Sequence, residues 1–491
     1  MRRHLSTQAR HRRLVLAVAA LLLFLRLPTC SLVTALSRSV TQWADEHDAF
    51  LAQSVFRRRG WRVRASQASS SQQEPLDIWE ADLFAWGSRD AVPKQKFYKP
   101  ASGKSRPVPD PFPLLSRNPP PRGAVLRAPR GNRPPKRHVK EKTVLFVGFT
   151  RNWPQLLQCV VSYIAAGWPA EDIWVVENTG VMDANRRGRL SLQNPFYLNH
   201  TQLGMLGVNV IMTPTLLTFS QLQNFYLHTA LSTHHPYFFW THQDLLVFTF
   251  ENDTSPIHPH QPPPSLYANA VATLRHLTAR SASGNTTKWA HHFFAYDHLT
   301  LVNRDAVLSV GGWDTHIPFY ASDCDTYVRL MWAGFAQGES EIGIIFDVGS
   351  VMTDLGALLR IRGAKARVDL GLDDDDGEDN KVDKGYVETW TGLVETAARM
   401  EEAKYAHGNA WRNTWQVKQR GGQGEPFYRD ADGFEKGVKM WIDAGRSVFA
   451  EKWGHRGCDV ANVGIKGEDA WRLERDWDEE TEGLGFQGSS W

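Results

Sequence analysis

From about residue 143 onward, apolar positions come in blocks whose spacing alternates between two types. Thr143-Val-Leu-Phe-Val-Gly-Phe149 is a continuous apolar run of the kind found in a strand buried on both faces. Leu156, Leu157, Val160, Val161 and Ile164 then recur at helical spacing, so a helix is predicted from Pro154 to Ala166, ended by Gly167-Trp168-Pro169. A second strand is predicted at Ile173–Val176, running into Glu177-Asn178-Thr179-Gly180, and a third at Val208–Met212. A helix follows from about Ser220 to Thr233. The aromatic run Tyr237-Phe-Phe-Trp-Thr241 then stops abruptly at His242-Gln243-Asp244, and Leu245–Phe248 resumes the apolar pattern.

Further along, Phe293–Val302 predicts one strand, followed by a short helix to Val310 and a turn at Gly311-Gly312-Trp313-Asp314. Ser322-Asp323-Cys324-Asp325 leads into a helix bearing Tyr327, Val328, Leu330, Met331 and Phe335. Ile342–Val348 reads as a late strand, and the region from Lys381 as largely helical. Strands alternating with helices predict an α/β fold with a parallel sheet covered on both faces. Ligands in such sheets bind beyond the carboxyl ends of the strands, where Thr150, Arg151, Asn152, Glu177, Asn178, His242, Gln243 and Asp244 all fall.

Side chains alternate along a strand, so His242 and Asp244 share a direction at its end. An imidazole and a carboxylate leaving an apolar strand together are costly unless they bind something. A divalent cation carrying phosphate oxygens suits them; a histidine and an aspartate capping a turn is the plain alternative. Asp347, after another apolar run, is a further candidate for the same cation.

Charge changes the picture at the other end of the chain. Of 491 residues, 42% are apolar, and the net charge is only +3. Yet residues 1–140 carry roughly +17, which leaves the remainder near −14 by the same count. This basic segment is Pro-rich and holds no nucleic-acid module, so no nucleic-acid partner is expected. Arg2, Arg3, Arg10, Arg12 and Arg13 precede an apolar stretch from Leu14 to Leu36, interrupted by Arg26. Its roughly 23 residues suffice for a signal anchor with a cytoplasmic tail of residues 1–13. The uninterrupted run Leu14–Leu25 also has the length of a cleaved signal's core.

Either alternative delivers the rest to the secretory lumen, and sequons at Asn199, Asn252 and Asn285 agree with that. Residues 37–141, with Pro107-Val-Pro-Asp-Pro-Phe-Pro and Asn118-Pro-Pro-Pro, read as a largely disordered stem. Outside the apolar segment, Cys159, Cys324 and Cys458 allow one disulfide and one free thiol, with the pairing unassigned.

The order of these elements over about residues 142–355 resembles a glycosyltransferase of the GT-A fold, of the family-2-like and galactosyltransferase-like lumenal kind. The resemblance implies a Rossmann-type mixed sheet flanked by helices over 142–370, with residues 371–491 adding an acidic loop and a mostly helical extension. It implies a nucleotide-sugar donor, a glycan or glycoprotein acceptor, and a type II Golgi or ER membrane protein held by its N-terminal helix. His242-Gln243-Asp244 is similar to the family's Asp-x-Asp motif, so Asp244 and His242 are implied ligands of Mn2+ or Mg2+. Thr150, Arg151, Asn152, Glu177, Asn178, Asn224 and Gln243 are implied to line the donor. Gly311-Gly312-Trp313-Asp314 with Ser322–Asp325 resembles the block that receives the acceptor and supplies its base. That makes Trp313 and Asp314 acceptor-binding and Asp323 or Asp325 catalytic.

The chemistry asks for such a base, because a sugar hydroxyl is a poor nucleophile until its proton is taken. Ser322-x-x-Asp325 also reads as a helix cap, in which one of the two acids simply satisfies the helix N-terminus. Two other function classes fit the residues: a degraded GT-A-fold protein serving as a glycan-binding or scaffold subunit, and a lumenal hydrolase using two carboxylates across a cleft. Gly421–Pro426 and Lys452–Cys458 mark a further functional or packing element.

Overall fold

The computed structural model describes residues 95–98, 107–251, 264–282, 288–368, 389–406, 419 and 421–477. Residues 1–97 and 98–491 form two units, and every element described here belongs to the second. The predicted tail, anchor and acidic loop, with the sequons at Asn252 and Asn285, lie outside the described residues. Among the described residues no helix is long and apolar enough to cross a membrane.

Strands β1 (Leu145–Phe149), β2 (Ile173–Glu177), β3 (Asn209–Met212) and β4 (Tyr237–Thr241) run parallel, with β1 between β2 and β4. A short strand β5 (Leu245–Phe248) follows β4 directly. Strands β6 (Trp289–Phe294), β7 (Leu299–Asn303) and β8 (Ala336–Glu339) complete a seven-stranded sheet of order β3-β2-β1-β4-β7-β6-β8. β7 is antiparallel to both β4 and β6, so the sheet is mixed. Strand β9 (Ile344–Asp347) leaves it to pair with β5 in a second, two-stranded sheet. The architecture is α/β, as the strand–helix alternation predicts, but the sheet is mixed rather than parallel throughout, because β7 runs antiparallel to its neighbours.

Both faces of β1 are covered, which accounts for its unbroken apolar sequence. Leu145, Val147 and Phe149 join Phe239 under α1 (Trp153–Ala165) and α5 (Leu266–Ala282) on one face. Phe146 joins Phe238 and Trp240 against Leu222, Tyr226 and Leu227 of α4 (Phe219–Ser232) on the other. Gly148 lets α4 approach: a Cβ there would meet the Tyr226 hydroxyl and lie 2.8 Å from Leu222 Cδ2. Short helices α2 (Met182–Arg186) and α3 (His200–Leu206) edge the sheet beyond β2.

Three expectations change. The single strand predicted over Phe293–Val302 is two, β6 and β7, because Ala295 (φ 64) and Tyr296 (φ 53) turn the chain through the left-handed region. Neither is a glycine or asparagine, so no turn signal marks the break. Residues well before 142 also belong to the packed domain. Within the Pro-rich segment, Phe112, Leu115 and Leu126 are buried in the main core, so this part of the predicted stem is a structural belt. Its few apolar residues are spaced by proline rather than by a helix or strand period, and periodicity does not see them.

The C-terminal extension, finally, packs onto the domain, one of its helices in the main core and the other in a separate apolar cluster. Helix α8 (Trp390–Tyr405) inserts Trp390, Leu393, Ala397 and Met400 beside the α1 side chains. Helix α9 (Ala431–Trp453) packs Phe449 and Trp453 against Cys324 and Val328 of α7 (Ser322–Trp332), which follows the short α6 (Arg304–Ser309). A Cys324–Cys458 disulfide joins the two regions across 134 residues, and Cys159 is a buried free thiol.

Candidate functional site

The link between β4 and β5 carries His242, Gln243 and Asp244 at the point where the sheet changes from parallel to antiparallel pairing. The His242 ring lies parallel to Phe219, with centroids 6.2 Å apart, and its Nε2 is 3.8 Å from an Asp297 carboxylate oxygen. Burial opposes the imidazolium, but Asp297 outweighs it and raises the His242 pKa, helped by Asp244 and Asp347. Gln243 turns inward and donates to the Arg151 carbonyl at 2.7 Å.

Asp244 meets a partner from the far end of the chain. Lys404 Nζ, on α8, donates to Asp244 Oδ2 at 2.8 Å and to Asp347 Oδ1 at 2.5 Å. The Tyr405 hydroxyl donates to Asp347 Oδ2 at 2.5 Å, and the Asp347 amide donates to Glu401 Oε1 at 2.8 Å. Burial alone would raise the Asp244 carboxyl; the charges of Lys404 and His242 reverse that and hold it low. Burial likewise opposes the Lys404 charge, and the two carboxylates override it.

This arrangement does not fit the divalent ion that the Asp-x-Asp resemblance implies. An ammonium already lies between the two carboxylates, and both oxygens of Asp347 are engaged by α8. Among the described residues, no group of three or more His, Cys, Asp and Glu side chains is placed to hold a metal. His242 and Asp244 lie in the turn after β4 rather than in the strand; each is near the other's charge, but each has its own partner.

The two acids that open α7 have different environments. Asp325 is fully buried and accepts from Arg329 Nε at 2.8 Å and Trp453 Nε1 at 3.2 Å, with Lys452 Nζ at 2.6 Å. Arg329 also donates to the carbonyls of Val310 (2.6 Å) and Gly312 (2.8 Å), so Asp325 anchors the turn below it and α9 beside it. Asp323 is only partly buried. Burial and the nearby Asp297 charge push its pKa up to about 6, against the backbone N–H groups of the helix start and His242. Asp323, Asp297 and His242 therefore act on one another electrostatically, and Asp323 is the acid of α7 still poised to exchange a proton near neutral pH.

Asp314 faces Lys452 Nζ at 2.7 Å and the His316 amide at 3.0 Å, and these hold its pKa at about 2 although burial would raise it. Trp313 is buried, with its ring edge-on to Phe219 at 5.5 Å. Asn224 grips its backbone from both sides: Nδ2 donates to the Trp313 carbonyl at 2.8 Å, and the Trp313 amide donates to Oδ1 at 2.9 Å. Asn224→Ala leaves both backbone groups without this partner, so a loss of about 1–3 kcal/mol is expected, read as a lower urea midpoint. A midpoint unchanged from the wild type would show that the clamp contributes nothing.

The remaining candidates form a rim. Asn152 adopts the left-handed conformation (φ 70) and caps α1 by accepting from the Gln155 amide, with Thr150 beside it at the end of β1. Arg151 is buried, pairs with Glu435 of α9 and stacks over the Phe434 ring at 4.9 Å. Glu177 is buried, accepting from Asn185 at 2.7 Å and from His200 Nε2 at 2.8 Å. Asn178 holds Leu217 by its amide (2.7 Å) and carbonyl (2.8 Å), which fixes the approach to α4. Glu177 and Asn178 thus shape the rim from within.

The unexplained C-terminal motifs close over the same region. Gly422 (φ 81) lies so near Asn194 that a Cβ would come within 2.9 Å of its side chain. Arg429 donates to the carbonyls of Thr179 (2.7 Å) and Gly180 (2.9 Å), and Lys452 serves Asp314 and Asp325 together. Sequence reasoning passes over Asp297 and Lys404, and marks the motif that begins at Lys452 without assigning its partners. Asp297 sits in the unsignalled turn between β6 and β7, whereas Lys404 has a visible mark. It continues the apolar stripe Trp390, Leu393, Ala397, Met400 by one more helical step.

No family model matches the chain, and no curated protein matches it. Several solved structures do. A mannosyltransferase from Pyrobaculum calidifontis, in complex with GDP-Man and Mn2+, is 14% identical over 44% of this chain and 59% of its own, with a TM-score of 0.28. TarS of S. aureus is 9% identical over 70% of this chain and 51% of its own, TM-score 0.27. A cytidylyltransferase from Leptospira borgpetersenii is 10% identical over 41% and 76%, TM-score 0.23. The chain thus spans under two thirds of the mannosyltransferase and of TarS. At this level of likeness none of the three assigns an activity to it.

Proposed function

We propose that the chain is a glycosyltransferase that moves a sugar from a nucleotide-sugar donor to a hydroxyl of a glycan or glycoprotein in the secretory pathway. The observation that carries this is the placement of Asp323. A carboxyl with its pKa pushed up to about 6 stands at a helix start, in the electrostatic reach of His242 and Asp297. His242 lies just beyond the carboxyl end of β4, beside the point between β1 and β4 where the strand order reverses, the position at which α/β sheets bind ligands.

In this reading, Asp323 takes the proton of the acceptor hydroxyl as the oxygen attacks the anomeric carbon and the nucleotide diphosphate departs. Thr150, Arg151, Asn152 and Gln243 line the donor side, with Glu177, Asn178 and Asn224 holding its walls. Trp313 and Asp314 border the acceptor side. The Cys324–Cys458 disulfide supports an oxidising compartment, in keeping with an anchor at residues 14–36 and a lumenal catalytic unit.

The test is thermal stabilisation of the full chain by UDP, GDP and CMP, each with its common sugars. Stabilisation by one nucleotide family, strengthened by the attached sugar, is the expected result. A melting temperature indifferent to all of them would sink the transferase reading and favour a glycan-binding or scaffold role.

A further inference from the structure

The Asp244–Asp347 pair does not resemble an empty ion site awaiting its metal. Three side chains spaced along one face of α8 converge on it: Glu401 on the Asp347 amide, Lys404 on one carboxylate oxygen of each aspartate, and Tyr405 on the other oxygen of Asp347. The lysine has little room to withdraw. Its stem packs beside Gly349, where an added Cβ would lie 3.5 Å from Lys404 Cγ, and its side chain is 2% exposed. The helix that presents it is fixed by four apolar residues in the main core and by Trp390 Nε1 donating to the Thr249 carbonyl at 3.1 Å. Asp244, by contrast, keeps 14% of its side chain open.

A divalent ion of the Mg2+ or Mn2+ kind needs oxygens at about 2.0–2.2 Å and about six ligands. Here a fixed positive charge already occupies the space between the carboxylates.

The geometry points to Lys404 as the resident cation of this site, which offsets one of the two negative charges of Asp244 and Asp347 so that a nucleotide diphosphate binds beside them without a divalent metal. This rests on the transferase reading above. Lys404 acts through the two carboxylates and is a positioning residue. Without it, the paired negative charges face the diphosphate uncompensated; with the ammonium removed, the same pair becomes a site that a divalent ion can enter.

The experiment compares the full-length wild type with Lys404→Met, which keeps the buried stem. Mn2+ uptake is followed by loss of the aqueous Mn2+ electron paramagnetic resonance signal. UDP and GDP binding are measured by calorimetry in EDTA and in Mn2+. The wild type is expected to leave the Mn2+ signal intact and to bind its nucleotide equally in both media. Lys404→Met is expected to take up Mn2+, to bind the nucleotide about tenfold more weakly in EDTA, and to recover when Mn2+ is added. A purely structural lysine would give no such recovery.

Mn2+ uptake by the wild type together with nucleotide, abolished in Asp244→Asn, overturns the inference and leaves the transferase reading standing. If no nucleotide binds under any condition, the transferase reading falls and the metal-free donor site falls with it. If Lys404→Met does not fold, the wild-type arms decide: EDTA-indifferent binding upholds the inference and EDTA-sensitive binding overturns it.

Discussion

Asp323→Asn is expected to reduce sugar transfer by about 10²–10⁴-fold while leaving nucleotide binding essentially unchanged. The amide keeps the shape of the side chain and its place in the first turn of α7, but it cannot accept the hydroxyl proton. In the wild type, kcat/KM should rise with pH and level off above about 6, because the base must be ionised. A variant of undiminished rate, or a rate profile without an inflection in this region, would remove Asp323 from the mechanism.

Stability should move in the opposite direction. The folded pKa of Asp323 is raised above its ordinary value, so the native state holds this proton more tightly than the unfolded chain does. Its contribution is fully present below the ordinary carboxylate range and is lost as pH rises to about 6. Asparagine has no such charge to bury. Asp323→Asn should therefore melt higher than the wild type at pH 7–8, by something of order 1 kcal/mol after allowance for partial exposure, and no higher near pH 3. A group whose removal stabilises the fold while stopping the reaction is one kept for chemistry.

Two residues away, Asp325→Ala should do the reverse. Arg329 and Lys452 converge on this fully buried carboxylate, and the Trp453 indole donates to it. Removing one partner of a buried ion pair costs about 3–5 kcal/mol, because the remaining charges stay behind without their counter-ion. Arg329 keeps two carbonyl acceptors and Lys452 keeps Asp314, which places the expected loss near the lower end. Chemical denaturation should show a lower midpoint and α9 released early, with Trp453 fluorescence shifted to the red. Wild-type stability in Asp325→Ala would mean that α9 is held by its apolar contacts, the disulfide and its ion pairs to Arg151 and Asp314 without help from Asp325. The pair of variants separates two acids that a capping motif presents as alternatives.

The parallel half of the fold is legible because β1, β2 and β4 are largely buried, while the exposed edge strand β3 is marked only by its short apolar run. Thr143–Phe149, Ile173–Val176 and Tyr237–Thr241 are read from composition alone, and their carboxyl ends follow. Where burial is achieved without a period, reading stops. Phe112, Leu115 and Leu126 reach the core from a Pro-rich segment, and β8 has the sequence Ala-Gln-Gly-Glu, held in place by its neighbour β6 and by Gln337 donating to the Tyr327 carbonyl of α7. The turn at Ala295-Tyr296 uses residues that do not ordinarily favour it, and it is this turn that brings Asp297 beside His242. Lys404 and Lys452 are long-range partners, separated from their carboxylates by about 60–160 residues, and local pattern does not reach that far.

Those separations also set an order of events during synthesis. The ribosome releases Asp244, Asp325 and Asp347 before the lysines that balance them, and Cys324 before Cys458. Until the last segment emerges, the strand-end carboxylates must stay hydrated, so the sheet cannot close around them. A chain cut short between β9 and α8 would carry every described strand and still lack a finished centre. Completion of the centre is thereby tied to completion of the polypeptide, and a quality-control protease would meet unfinished copies in an open form.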